Sequence, residues 1–150
     1  MVGGPMSVFR RLKKALLGPG VKRVLAFQHA RLGTLTLDEH NWTAVIQHIG
    51  SELSFRIGGT DVPDPGLLRH AVDIIDDLDS FQRRTHAFLI EEAGRHPRAA
   101  EEIVQLKLDE VCLFWPHRPD DGMLYFSGPD DFRVWRCDYI DRQPRLLGFD

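Results

Sequence analysis

Apolar and polar residues alternate along "LGTLTL" and "ELSFRI", then recur at spacings of three and four along "PGLLRHAVDIIDDLDSFQRRTHAFL". Alternation with period two marks a strand with one buried face, and the 3–4 spacing marks a helix with an apolar stripe. Leu35 and Leu37 share the face of a first strand, and Asp38 to Asn41 turn the chain. A second strand runs from Trp42 to Ile49, and Gly50-Ser51 turns it again. In the third strand Leu53, Phe55 and Ile57 alternate with Glu52, Ser54 and Arg56. Tight turns between the three predict an antiparallel meander.

The helical signal starts at Asp64, placed as N-cap, with Pro65 as first helical residue, where its missing N–H is harmless. Leu67, Ala71, Ile74, Leu78, Phe81, Thr85 and Phe88 form one seam, and no Gly or Pro interrupts it before Gly94. Leu68, Val72, Ile75 and Leu89 widen the seam, as for a helix lying on a sheet. The pattern predicts one long helix, or two on a common line with a bend near Asp76 to Ser80. Asp73, Asp76 and Asp77 of "DIIDDLD" fall on its water side at helical spacing.

Beyond a further helical turn in "RHPRAA", Val104, Leu106 and Leu108 alternate until the phase slips at Asp109-Glu110. It resumes with Val111, Leu113 and Trp115. A one-residue slip is the mark of a β-bulge. "MLYFS", "FRVWRCDYI" and "RLLGF" continue as strands, separated by turns rich in Pro, Gly and Asp. Near the start, "MSVFRRLKKALLGPG" reads as a short helix capped by Ser7 and stopped at Gly18-Pro19. Phe9, Leu12 and Leu16 lie on one side of it, and Arg10, Arg11, Lys13 and Lys14 on the other.

These elements predict an α+β fold of one domain over residues 1–150. It has a single antiparallel sheet of about six strands in two meanders and one long or bent helix across one face. A short basic amphipathic helix within residues 1–20 forms an appendage, expected to rest on the acidic body. A chain of 150 residues can bury a core without staples. Cys112 and Cys137 sit in apolar runs and read as free buried thiols. No run approaches the length of a membrane span, and no secretory leader is evident, which gives a bacterial cytoplasmic expectation.

The net charge of −3 is unevenly spread. Six basic residues and no acid fall in residues 1–23. The rest of the chain holds thirteen basic and twenty-two acidic residues, a net −9. Such a body repels phosphate backbones, so nucleic acid is not an expected partner.

Phosphate loops, nucleophile elbows, C-x-x-C pairs and H-E-x-x-H metal motifs are all missing, and no cofactor or metal is expected. His70 and His86, sixteen residues apart on the helix, cannot share an ion. The strongest catalytic candidates are His117, Asp120 and Asp121 in "HRPDDG", which would serve a small hydrolase. Asp130 and Asp131 lie at the other end of the short strand that follows, about 17 Å away at ~3.4 Å per residue. Asp in Pro/Gly turns also has a plain role, capping the turn. Arg133, Trp135, Tyr139 and Arg142 are the binding candidates, because Trp, Tyr and Arg anchor protein interfaces. The competing role for Trp135 and Tyr139 is core beneath the helix.

The stretches "LGTLTLDEHNWTAVI", "LLRHAVDIIDDLDSFQRRTHAFL" and "DGMLYFSGPDDFRVWRCDYIDRQPRLLGFD" together resemble a loose group of small uncharacterised bacterial α+β domains. Some of these lie near polymorphic-toxin systems as immunity proteins. The resemblance is one of pattern over most of residues 31–150, and it carries no catalytic residue across. It implies a non-enzymatic binder with a protein partner, basic if the role is immunity-like, since acidic proteins neutralise basic toxins by complementary charge. Self-association as a homodimer through the N-terminal helix is a further expectation.

Overall fold

The computed structural model describes residues 25–129 and 133–149. The expected N-terminal helix, Asp130 and Asp131 lie outside them. Eight strands form one sheet in sequential order: β1 (Ala26–His29), β2 (Gly33–Asp38), β3 (Asn41–His48), β4 (Ser51–Ile57), β5 (Lys107–Leu113), β6 (Gly122–Ser127), β7 (Trp135–Ile140) and β8 (Gln143–Phe149). Between β4 and β5 come α1 (Pro65–Asp76), α2 (Leu78–Arg95), a 3-10 turn at Pro97–Ala99 and the single-turn α3 (Ala100–Ile103).

This corrects the expectation of a single antiparallel sheet of about six strands under one long or bent helix. β1 was not foreseen: four residues with a single large apolar side chain, Phe27, give no readable period. Its turn into β2 is closed by His29, whose Nδ1 accepts from the backbone N–H of Arg31 and Leu32. Gly33 follows at φ 74°, a left-handed value that glycine adopts without strain.

The sheet is mixed. Both meanders are antiparallel internally, but β4 and β5 run parallel, with Phe55 opposite Val111 and Ile57 opposite Leu113. A helical crossover returns the chain to the end where β4 began, and that fixes the direction of β5. The apolar ridge is split at Asp77, which has non-helical φ −128° and ψ 40°. A single rod of ~29 residues at 1.5 Å each would span about 44 Å. Strands of seven residues span about 23 Å. The break keeps both helices over the sheet.

The ridge itself is buried: Leu67, Ala71, Ile74, Leu78, Phe81 and Thr85 are all buried, with Phe88 partly covered. They meet Leu53, Phe55, Ile57, Val111, Leu113, Leu124, Trp135 and Tyr139, all from one face of the sheet. Asp64 accepts the N–H of Leu67 at 3.0 Å, as a capping side chain should.

The acidic run at the helix break is tied outward to four different partners. Asp73 meets Arg142, Asp76 meets Arg31, Asp77 meets Arg84 and Asp79 meets His48. These exposed pairs each contribute little energy, but three of them link the helices to turns or ends of the sheet.

Candidate functional site

The proposed catalytic and binding residues divide between two ends of β7. At one end, Asp141 and Arg142 make the β7–β8 turn with φ of 51° and 64°, left-handed values that cost non-glycine residues of order 1 kcal/mol each. Asp120 and Asp121 hold this turn. The Asp121 carboxylate accepts the N–H of Asp141 at 2.9 Å, and the Asp120 carbonyl accepts the N–H of Arg142 at 2.9 Å. The Asp120 carboxylate takes the Arg142 guanidinium at 2.7 Å, which holds its pKa below the usual carboxylate range. His117 is exposed and makes no hydrogen bond or ion pair with either residue. The two carboxylates are thus used in holding a strained hairpin.

Beneath this turn Tyr139 is fully buried and stacks on His70, itself 1% exposed. His70 Nδ1 bonds to the Pro119 carbonyl and must therefore carry the proton, so Nε2 accepts from the Tyr139 hydroxyl at 3.3 Å. Burial lowers the His70 pKa against the favourable pull of the Pro119 carbonyl; Arg142 lowers it further, and Asp120 and Asp73 oppose. Burial likewise pushes the Tyr139 hydroxyl up to about 12. A histidine depressed in the fold takes up its proton more readily when unfolded, so its stabilisation is full above the ordinary value near 6.5 and fades as pH falls through it. Urea unfolding at pH 7.5 and 5.5 should show lower stability at the acid value. In His70→Gln that difference should shrink, and an unchanged difference would assign the pH dependence elsewhere.

At the other end of β7, Trp135 is 1% exposed and donates its indole N–H to Glu102 on α3. Glu102 also accepts Arg133 at 2.8 Å, and the Arg133 guanidinium lies 4.7 Å from the Phe149 ring. Trp135 and Tyr139 are therefore core, and Arg133 and Arg142 stand at separate ends of the strand.

The reading from sequence missed a third place. The sheet face turned away from α1 and α2 presents Thr43, Val45, Ser54, Arg56, Glu110 and Arg136, all half-buried or exposed. On it opens a groove of about 510 Å³ lined by Glu52, Ser54, Asp109, Glu110, Tyr125 and Arg133, among others. The β5 register shifts between Leu108 and Glu110, as the apolar phase slip implied. The bulge lets two consecutive carboxylates, Asp109 and Glu110, line one groove, where a regular strand would send them to opposite faces. Glu110 is anchored by Arg56 Nε at 3.0 Å and Glu52 by Gln47 at 2.9 Å. Asp109 has no hydrogen-bond or ion-pair partner among the described residues.

A second groove of about 370 Å³, floored by Leu89, Leu106 and Leu108, shares Glu52, Asp109 and Ser127 with the first. Through Glu52 and Asp109 the two grooves join from the sheet face turned away from α1 and α2 to the side of α2. Cys112, which falls on the sheet face turned away from α1 and α2, is buried and its thiol pKa is pushed well up, first by burial and then by Glu110. Burial and the raised pKa both disfavour the thiolate that nucleophilic attack requires. Among the described residues no group of three or more His, Cys, Asp or Glu could hold a metal ion, and no helix is long and apolar enough to cross a membrane. Comparison with family models, curated proteins and solved structures found no match to this chain.

Proposed function

We propose that this chain is a non-catalytic protein-binding module of immunity-like character that receives a basic partner on the sheet face turned away from α1 and α2. The observation that carries the reading is the groove rimmed by Glu52, Asp109 and Glu110, on a body whose charge beyond residue 23 is −9. Complementary charge speeds encounter and selects among partners. The bulge supports the same reading, because such irregularities commonly re-aim side chains at functional surfaces. The tethering of Asp120 and Asp121 to the β7–β8 turn leaves them an adequate structural role.

The test is affinity capture from the protein's own cells, with the native chain and a Glu52→Lys/Asp109→Lys double variant as baits. The native chain should retain a basic protein whose binding weakens as salt rises. Reversing two rim charges should lower the affinity at least about tenfold. Equal retention by both baits, or an acidic partner, would sink the proposal.

A further inference from the structure

A second surface, on the helix side of the sheet, concentrates arginines, of which Arg84, Arg95 and Arg142 also pair with neighbouring carboxylates. The cleft between α2 and the edge strand β8 is about 620 Å³ and is lined by Arg84, Arg95, Arg142 and Arg145, with Glu91 the single acid in its lining. Phe88, Ala87, Pro144 and Leu146 supply its apolar part. We propose that this cleft binds an acidic extended segment of a partner protein. Carboxylates would reach the arginines at either end, with an apolar side chain between them on Phe88 and Leu146. The inference goes beyond the acidic groove and does not depend on it.

Three observations carry it. First, four of the thirteen basic residues beyond residue 23 gather at one cleft of an otherwise acidic body. Second, the guanidinium groups are positioned yet still accessible. Arg95 is held by Glu91 and Glu92 while its side chain stays 63% exposed. Arg142 uses Nε and Nη2 on Asp120 and Asp73, leaving N–H groups unspent. Arg145 has no ion-pair partner among the described residues. Third, Leu146 stands 78% exposed at φ 58°, held in the left-handed region, and gives an apolar contact between the charges.

The dimensions select a peptide over a small anion. Arg84 and Arg95 are eleven residues apart on α2, about 16 Å at 1.5 Å per residue. That is about five residues of extended chain at ~3.3 Å each. An inorganic anion would meet one end only. Strand addition is not the mode, because Pro144 lacks an N–H and Leu146 breaks the extended backbone along this edge. Recognition falls to side chains, and Arg suits carboxylates through its forked donors.

The experiment is fluorescence anisotropy of the full chain with a labelled peptide of sequence Glu-Glu-Leu-Phe-Glu-Glu at low salt, with circular dichroism of every variant as a folding check. Saturable binding is expected. Arg95→Glu and Arg145→Glu should each weaken it at least tenfold, and Leu146→Asp several-fold. The Arg95→Glu/Arg145→Glu double variant should instead gain affinity for the lysine counterpart of the peptide. Failure to saturate, equal binding by folded variants, or displacement by inorganic phosphate at equal charge concentration would overturn the proposal. So would sedimentation showing self-association that Leu146→Asp abolishes, because a second copy would then be the occupant. None of these readings depends on Glu52 or Asp109.

Discussion

Trp135→Ala should lower the free energy of unfolding by about 3–5 kcal/mol, the range for removing a large buried aromatic. The indole is 1% exposed, lies opposite Phe126 on β6 and Phe149 on β8, and its ring centroid is 4.8 Å from that of Phe149. Its N–H is the tie to Glu102, so truncation also strips a neighbour from a mostly covered carboxylate that anchors Arg133. A domain of this size has roughly 5–15 kcal/mol of stability in all, so the loss is at least about a fifth of it. In guanidinium titrations followed by circular dichroism, the midpoint should fall with little change in slope. Trp135→Phe keeps most of the volume and loses the donor, so it should cost only about 1–2 kcal/mol. A loss below about 1 kcal/mol for the alanine variant would show that β7 is not packed as described.

Gly122→Ala should destabilise by about 3 kcal/mol, the upper end of the range for overpacking. A β-carbon there would sit 2.2 Å from the Cys112 carbonyl oxygen and 3.1 Å from Leu113 Cδ2. The first obstacle is backbone, so the strand pair β5–β6 must separate to admit it. The melting temperature should drop by about 6–12 °C, at 2–4 °C per kcal/mol for a chain of this length. Gly94→Ala is the control. It lies in α2 with nothing within 4 Å of the added carbon, and alanine is the better helix former. It should be neutral or stabilising by up to about 1 kcal/mol. Melting temperatures of the two variants within about 2 °C of each other would refute the close approach of β5 and β6.

The candidate sites differ in how far they can be read from sequence. The bulge at Asp109-Glu110 is visible as a slip of apolar phase, because alternation is a property of neighbours. What the bulge accomplishes is not visible. Glu52 belongs to the same rim, yet it is more than fifty residues away in sequence and is brought there by the parallel pairing of β4 with β5. His70 and Tyr139 are 69 residues apart, and no periodicity connects them. The α2–β8 cleft likewise joins the middle of the chain to its end. The carboxylates that stood out in sequence, Asp120 and Asp121, are bound to a turn whose need for them lies in the backbone angles of Asp141 and Arg142.

From its residues alone the chain determines which side of each strand and helix is apolar, where the Asp64 cap starts α1, and where β5 loses its alternation. Each of these is set by contacts within a few positions. The tertiary structure decides the number of strands and the parallel join between β4 and β5, and it selects a break at Asp77 where the apolar seam allowed one helix or two. It also decides the gathering of Glu52 with Asp109 and of Arg95 with Arg145. These depend on the reach of the helical crossover across the sheet and on burial shared between distant segments, which a local pattern does not encode.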